Sequence, residues 1–345
     1  MIKLSICIPT YNRAEYLRNC LHSIALGDPQ SVFNFEICIS NNNSSDDTES
    51  VVWGAQESLR IKYHKNPSNL GVARNFLNVV SMAEGEFVWL IGDDDLLMPN
   101  AISRLYELIN GNPGVDFFYV NSFHLNTEYL ALYPSPFDTG HLPAKMKPFS
   151  EWKAPGEMKF LELINPKISF DFLGGMFLSV FRKSLWDSKV EVLNSDAIFD
   201  SRTFSHFDNT FPHVKIFANA FANSRAYFND KPLNVCLTGA REWSPMYPFI
   251  HSVRLVEALD EYRRNGLPYM QYLYCKNYAL NNFASDFANM FLARDTSGYQ
   301  YIKPFRLIAG CCLYPNFYLS FFYFFGRRIR SFFNRPDGYK FGIFK

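Results

Sequence analysis

The chain has 345 residues, room for about two ordinary domains. Hydrophobic residues make up 48% and charged residues 19%, which excludes a disordered protein, and 34 basic against 33 acidic side chains give a net charge of +1, which excludes a globally basic nucleic-acid binder. Seven cysteines, odd in number and without a CxxC pair, make neither a disulfide framework nor a zinc ribbon, so the reduced thiols of a cytosolic protein are expected.

In chain order, Met1-Ile2-Lys3 runs straight into the apolar Leu4–Ile8, and no secretory leader is expected there. Leu4–Ile8, closed by Pro9, predicts a buried parallel strand. Leu17, Cys20, Leu21 and Ile24 recur at helical spacing behind it. Phe35–Ser40 predicts a second strand, followed by a turn-rich loop, Asn41 to Thr48. Ile61–His64 predicts a short third strand. Val72, Phe76, Val79, Val80 and Ala83 then make one helix face. Phe87–Ile91 is an entirely apolar strand that ends at Gly92-Asp93-Asp94-Asp95. Pro99 opens a helix with Ile102, Leu105, Leu108 and Ile109 on one face, and Asp116–Asn121 is the fifth strand. This alternation predicts a doubly wound α/β sheet over residues 1–122.

Beyond Phe123 the alternation stops. Tyr133–Pro155, with five prolines, reads as a long loop or linker. Residues 212–223, 252–265 and 268–292 read as helical. Leu307–Gly326 is a 20-residue apolar run interrupted by Pro315 and Asn316. Three segments are therefore expected: 1–122, 123–300 and 301–345.

In open α/β sheets, ligands sit beyond the carboxyl ends of the strands. Here three such ends carry polar clusters: Thr10-Tyr11-Asn12-Arg13, Asn41 to Asp47, and Asp93-Asp94-Asp95. Three adjacent carboxylates repel one another unless a cation offsets them. Oxygen ligands of this kind suit Mg²⁺ or Mn²⁺, which complete their shell with phosphate oxygens and water. Neither a GxxxxGK[ST] loop nor a GxGxxG turn is present, so the site is of neither the P-loop nor the dinucleotide kind. The seven histidines lack HxH or HxxxH spacing, which disfavours a histidine metal site.

Four stretches together resemble the family 2 glycosyltransferases: Ser5 to Arg13, Ile39 to Thr48, Asn69-Leu70-Gly71-Val72-Ala73-Arg74-Asn75, and Trp89 to Asp95. Arg74 to Leu77 and the glycine before the acidic triplet are more similar to bacterial O-antigen enzymes of the abequosyltransferase type. The resemblance implies a GT-A, Rossmann-like, mostly parallel sheet with helices on both faces, followed by a mainly helical acceptor and membrane region. It implies that Pro9, Thr10, Tyr11 and Arg13 line a nucleotide pocket, that Arg74 meets the nucleotide or its phosphates, and that Asp93 faces the ribose or sugar. Asp94 would ligate the metal, with Asp95 in support. Asn41 stands where most members have an Asp that holds the base. Because an amide both donates and accepts, CDP-, UDP-, GDP- and dTDP-linked donors all stay open. Gly92 stands where many members place the first Asp of their acidic motif.

The resemblance also implies an inverting, metal-dependent hexosyl or deoxyhexosyl transferase. Its donor would be a nucleoside-diphosphate sugar and its acceptor a polyprenyl-diphosphate-linked glycan, in O-antigen or other surface polysaccharide synthesis. The general base is expected to be Asp208, in His206-Phe207-Asp208-Asn209, with Asp171 second; the plain alternative for Asp208 is a helix N-cap. His213 reads as structural or acceptor-contacting. Gly174-Gly175 reads as a tight turn. A second class of function, a catalytically inactive scaffold that binds nucleotide sugars, is disfavoured by the intact acidic triplet.

Residues 301–345 carry eight basic side chains against one acidic, so this tail holds +7 and the first 300 residues −6. Basic residues beside Phe317, Phe321, Phe322, Phe324 and Phe325 predict peripheral attachment to an anionic membrane surface, on the cytoplasmic face of a bacterial inner membrane. A C-terminal helix packed into the second domain is the competing reading. No nucleic-acid partner is expected.

Overall fold

The computed structural model describes residues 2–30, 32–239 and 243–333. Backbone contacts divide the chain into two compact units, Met1–Glu242 with Asp260–Pro268, and Trp243–Leu259 with Tyr269–Lys345.

In the first unit the elements are β1 (Leu4–Thr10), α1 (Ala14–Leu26), β2 (Phe35–Asn41), α2 (Thr48–Ala55), β3 (Ile61–Lys65), α3 (Val72–Ser81), β4 (Phe87–Leu90), β5 (Asp95–Leu97), α4 (Ala101–Gly111) and β6 (Phe117–Asn126). They continue as α5 (Thr127–Leu130), β7 (Lys147–Pro148), β8 (Gly156–Lys159), β9 (Ser179–Arg182), α6 (Lys183–Asp187), α7 (Ser195–Phe199), α8 (Phe207–Thr210), α9 (Pro212–Ala220) and β10 (Arg225–Thr238). The sheet runs in the order β3-β2-β1-β4-β9-β6-β10-β5, with β7 beside β6 and β8 beside β10. β1 pairs in parallel with β2 and β4, and β2 with β3. β9 enters antiparallel between β4 and β6, while β6 and β10 run parallel to each other. All the long strands therefore point one way, and their carboxyl ends share one edge.

Strands buried on both faces must be apolar throughout, and every residue of β1 and β2 is buried. α1 buries Leu17, Cys20, Leu21 and Ile24, the expected stripe. α3 departs slightly: Val79 and Val80 are buried, but Val72 is 44% exposed and Asn75 takes an inward position. The aromatic excess fills the core. Phe117 meets Phe160, Phe172, Phe217 and Phe221 edge to face, an arrangement that adds to the energy of burial. All seven cysteines are free thiols.

The structure corrects the second half. Residue 122 lies inside β6, and two strands that the alternation pattern does not reveal, β9 and β10, complete the sheet from beyond it. β9 has only four residues. β10 carries Asn229, Asp230 and Pro232, turn residues that sit at register shifts of the ladder. Segment 133–155 is no free linker. Phe137 is 1% exposed in a cluster with Leu96, Leu125, Leu130 and Val235. The expected turn at Gly175 is present, its N–H bonded to Asp171 O at 2.7 Å.

The second unit is helical: α10 (Tyr247–Phe249), a π-turn over Ile250–Arg254, the start of α11 (Leu255–Arg264), α12 (Tyr269–Ala279), α13 (Phe283–Leu292), α14 (Pro304–Cys311) and α15 (Pro315–Phe333). The predicted helix over 268–292 is thus two helices. The apolar run near 307–326 is also broken, with α14 and α15 bent by 112°. Among the described residues no single helix is long and apolar enough to cross a membrane. One face of α15 is packed: Phe317 and Ser320 are buried, Ser320 Oγ accepts Ala284 N–H, and Asn316 bonds Asn277 and Asn281.

Candidate active site

At the ends of β1 and β4, Arg13 bridges the acidic triplet. Its Nη1 lies 3.0 Å from Asp93 Oδ1 and its Nη2 3.1 Å from Asp94 Oδ2. Thr10 Oγ1 donates to Asp93 Oδ2 at 2.8 Å. The cation that the triplet requires is therefore supplied first by the chain itself. Burial pushes the Asp93 carboxyl up to about 7, with Asp94 adding to it, while Arg13 and Thr10 act in the opposite direction. Burial alone would lower the Arg13 guanidinium, but Asp93 and Asp94 raise it overall. Asp95 turns away from this pair: it is 2% exposed, begins β5, and its Oδ2 accepts Gly92 N–H at 2.7 Å. A Cβ at Gly92 would lie 2.5 Å from Asp94 Oδ1, so a larger residue there would have to displace the Asp94 carboxylate.

The second strand end is locked by asparagines. Asn12, at φ 52°, accepts Ser45 N–H, a backbone region that asparagine tolerates. Asp46 accepts from Ala14 N–H and Thr48 N–H, so one carboxylate closes the starts of two helices. Its carboxyl is raised by burial but lowered overall by the Thr48 hydroxyl and these backbone groups. Asn41 is fully buried; its amide donates to Tyr63 Oη and accepts Ser44 N–H. Asn75 bonds Ser40 and Asn66, and Asn42 bonds Asn69 and Leu70 N–H. This network draws the start of α3, with Arg74, onto the ends of β1 and β2. Arg74 lies over the Phe199 ring at 4.4 Å and has no carboxylate partner among the described residues. Pro9 is buried within β1, and Tyr11 is 40% exposed beside it.

α7 and α8 pack against α3, which brings Asp208 to this edge. Asp208 is not an N-cap, since His206 occupies that place in α8. The Asp208 carboxylate is 8% exposed, and its Oδ2 accepts Asn194 N–H at 2.6 Å and faces Lys215 Nζ at 2.7 Å. Asp171 is exposed in the 3-10 turn before Gly174-Gly175. His213 is buried among Phe211 and Phe217, which makes it a core residue rather than one of the exposed groups of the site. Two groups are not evident from the sequence. Asp200 gathers Arg202, Ser205 and His206, and the Arg202 side chain and backbone hold its carboxyl well below the usual range. Tyr63, on the edge strand, partners Asn41.

Among the described residues no three His, Cys, Asp or Glu side chains are grouped to hold a metal. Of the two carboxylates paired with Arg13, Asp94 is the more exposed, at 13% against 5% for Asp93.

A mostly parallel sheet, one inserted antiparallel strand and an acidic turn after β4 define a GT-A nucleotide-sugar fold, and solved structures share it. The Staphylococcus aureus TarS fragment in complex with UDP superposes at a TM-score of 0.52 and 18% identity, over 82% of this chain and 72% of that one. A mannosyltransferase from Pyrobaculum calidifontis, in complex with GDP-Man and Mn²⁺, does so at 0.51 and 14%, over 97% and 88%. Residues 5–182 match glycosyl transferase family 2, and the chain belongs to that family. The abequosyltransferase RfbV of Salmonella typhimurium is 30% identical over 68% of this chain and 66% of its own length. A Campylobacter jejuni GalNAc(5)-diNAcBac-PP-undecaprenol beta-1,3-glucosyltransferase is 32% identical over 55% and 54%. The chain thus matches between about half and two thirds of the length of these relatives.

Proposed function

We propose that the chain is an inverting transferase that moves a hexosyl or deoxyhexosyl group from a nucleoside-diphosphate sugar to a polyprenyl-diphosphate-linked glycan, in O-antigen or related surface polysaccharide synthesis. The observation that carries this reading is the Arg13–Asp93–Asp94 cluster at the β1 and β4 ends, with the Arg74 charge on the adjacent helix. Two guanidiniums there favour the donor's diphosphate, first bound and then leaving. Pro9, Thr10 and Tyr11 line the nucleotide side, Asn41 lies beneath the base, and Asp93 faces the ribose or sugar. Asp94 would hold Mg²⁺ or Mn²⁺, which when bound stabilises a departing diphosphate. Asp95 acts indirectly by fixing the turn. Asp208 takes the acceptor hydroxyl's proton, with Lys215 holding the carboxylate in place, and Asp171 is the alternative base. The lipid-linked acceptor is supported by the activity named for the Campylobacter relative.

The bent pair α14–α15 supports peripheral attachment to anionic lipid on the cytoplasmic face of the inner membrane. Phe305, Leu313 and Phe322 are 91%, 87% and 73% exposed, with Arg306, Arg327 and Arg328 nearby. Arg335, Lys340, Lys345 and Asp337 of the basic tail lie outside the described residues.

The test is donor turnover across CDP-, UDP-, GDP- and dTDP-sugars, with and without Mg²⁺ or Mn²⁺. Asp94→Asn should lose the metal stimulation, and Asp208→Asn should bind donor while turning over about 10²–10⁴-fold more slowly. Full turnover in excess EDTA rules out the metal role. Normal turnover by Asp208→Asn with an inactive Asp171→Asn moves the base to Asp171.

A further inference from the structure

The two guanidiniums at the strand ends are held in opposite ways. Arg13 commits N–H groups to Asp93 and Asp94. Arg74 is held by a ring instead. Its Cζ lies 4.4 Å from the Phe199 centroid, and its N–H groups make no hydrogen bond among the described residues. An aromatic face attracts a cation without accepting its N–H groups or cancelling its charge. A carboxylate in the same place would do both. The ring therefore orders Arg74 and leaves its charge and donors for an anion.

Both partners of this contact are fixed at their bases. On α3, the neighbouring Asn75 is buried; its Nδ2 donates to Ser40 O at 3.0 Å and its Oδ1 accepts Ser40 Oγ at 2.7 Å. Phe199 ends α7, a short helix bracketed on both sides. Before it, Asn194 caps the helix by accepting Ala197 N–H at 2.9 Å, and the Asn194 N–H itself donates to Asp208. After it, Asp200 accepts Ser205 Oγ at 2.9 Å. Phe199 is nonetheless 65% exposed, and among the described residues Arg74 is the one charged or aromatic side chain that it meets. The ring adds little to the core, and its firm placement serves the guanidinium.

We infer that Phe199 is a positioning residue for donor binding, which holds the Arg74 guanidinium ready for the diphosphate of the nucleotide sugar. This rests on the nucleotide-sugar reading above. An arginine loses rotamer freedom when it meets a ligand, and a contact that orders it beforehand reduces that loss. The bracket around Phe199 includes Asp208, so the segment that carries the proposed base also sets the guanidinium that meets the leaving group.

The experiment is a double-mutant cycle on the full chain, read by equilibrium dialysis with CDP, UDP, GDP and dTDP in turn, in the presence of Mg²⁺. The nucleotide that the wild type binds most tightly is carried through Phe199→Leu, Phe199→Tyr, Arg74→Gln and the Arg74→Gln, Phe199→Leu double variant, with a thermal unfolding midpoint for each. Phe199→Leu, which keeps apolar bulk but no π face, should weaken binding about three- to tenfold, and Phe199→Tyr should stay within about twofold of the wild type. In the Arg74→Gln background Phe199→Leu should add less than about twofold, because the ring acts through the guanidinium. Should Arg74→Gln fail to fold, the contrast between the leucine and tyrosine variants decides alone. Wild-type affinity in Phe199→Leu, equal losses in the leucine and tyrosine variants, an equal loss with and without Arg74, or no loss in Arg74→Gln overturns the inference and leaves the nucleotide-sugar reading standing. A wild type that binds none of the four nucleotides overturns both.

Discussion

At the residue scale the acidic turn shows how one small side chain sets the position of a charged one. Gly92 leaves the space into which Asp94 Oδ1 fits, and Asp95 closes the turn from below. Gly92→Ala should push the Asp94 carboxylate out of place while leaving the apolar strand beneath it intact. A displacement of about 1 Å is enough to cost roughly 10²-fold in rate. We therefore expect turnover to fall by that order with little change in melting temperature, and parallel steady-state and thermal unfolding measurements check it. Unchanged turnover would show that Asp94 is not held by this contact. The motif was legible in the sequence as three carboxylates after a buried strand. What the string concealed is that the three do different work: Asp93 and Asp94 share Arg13, whereas Asp95 binds backbone.

At the element scale α9 carries a buried histidine among aromatic rings. Burial pushes the His213 imidazole down to about 3, and the Gly174 backbone offsets this only in part. The folded protein therefore keeps His213 neutral under conditions where the unfolded chain protonates it, below its ordinary value near 6.5. The unfolded state then binds more protons, so stability falls as the pH drops from about 6.5 toward 3, by about 1.4 kcal/mol for each pH unit once the unfolded histidine is charged. Urea unfolding at pH 7 and pH 5 should show this loss, and His213→Phe, which keeps a ring in the same cluster, should flatten it. An identical pH slope in that variant assigns the acid sensitivity to other groups. Helical periodicity placed α1 and α4 well, because each buries one continuous stripe. It did not reveal β10, whose burial comes from neighbours far along the chain.

At the scale of the whole molecule the tail combines two properties that the sequence analysis set against each other. Phe317 and Ser320 pack α15 onto α13, while Phe305, Leu313 and Phe322 stay exposed near arginines. Deleting residues from 307 onward would strip a hydrophobic cluster as well as a membrane surface, so point substitutions are the sounder test. Phe305→Ser with Phe322→Ser, and separately Arg327→Gln with Arg328→Gln, should each reduce co-sedimentation with anionic liposomes while the thermal unfolding midpoint stays near that of the wild type. Each basic side chain near such a surface is worth roughly 1 kcal/mol, so the double arginine variant should lose about tenfold or more in binding at low salt. Binding unaffected by either pair, or by salt, would assign these exposed rings to something other than lipid.

The sequence by itself determined the first half of the sheet, the polar strand ends and the family to which they belong. These depend on local facts: continuous apolar runs, helical stripes, and short motifs whose side chains act close to where they are written. Only the tertiary structure decided the rest. It showed β9 slotting between β4 and β6, segment 133–155 packing as core, and Asp208 facing Lys215. It also showed Asn41 turned by Ser44 toward Tyr63. Each of these depends on partners remote in sequence or on the direction of a hydrogen bond. A string of residue types records which groups can donate and accept, but the folded backbone chooses between them by presenting an N–H that can only donate.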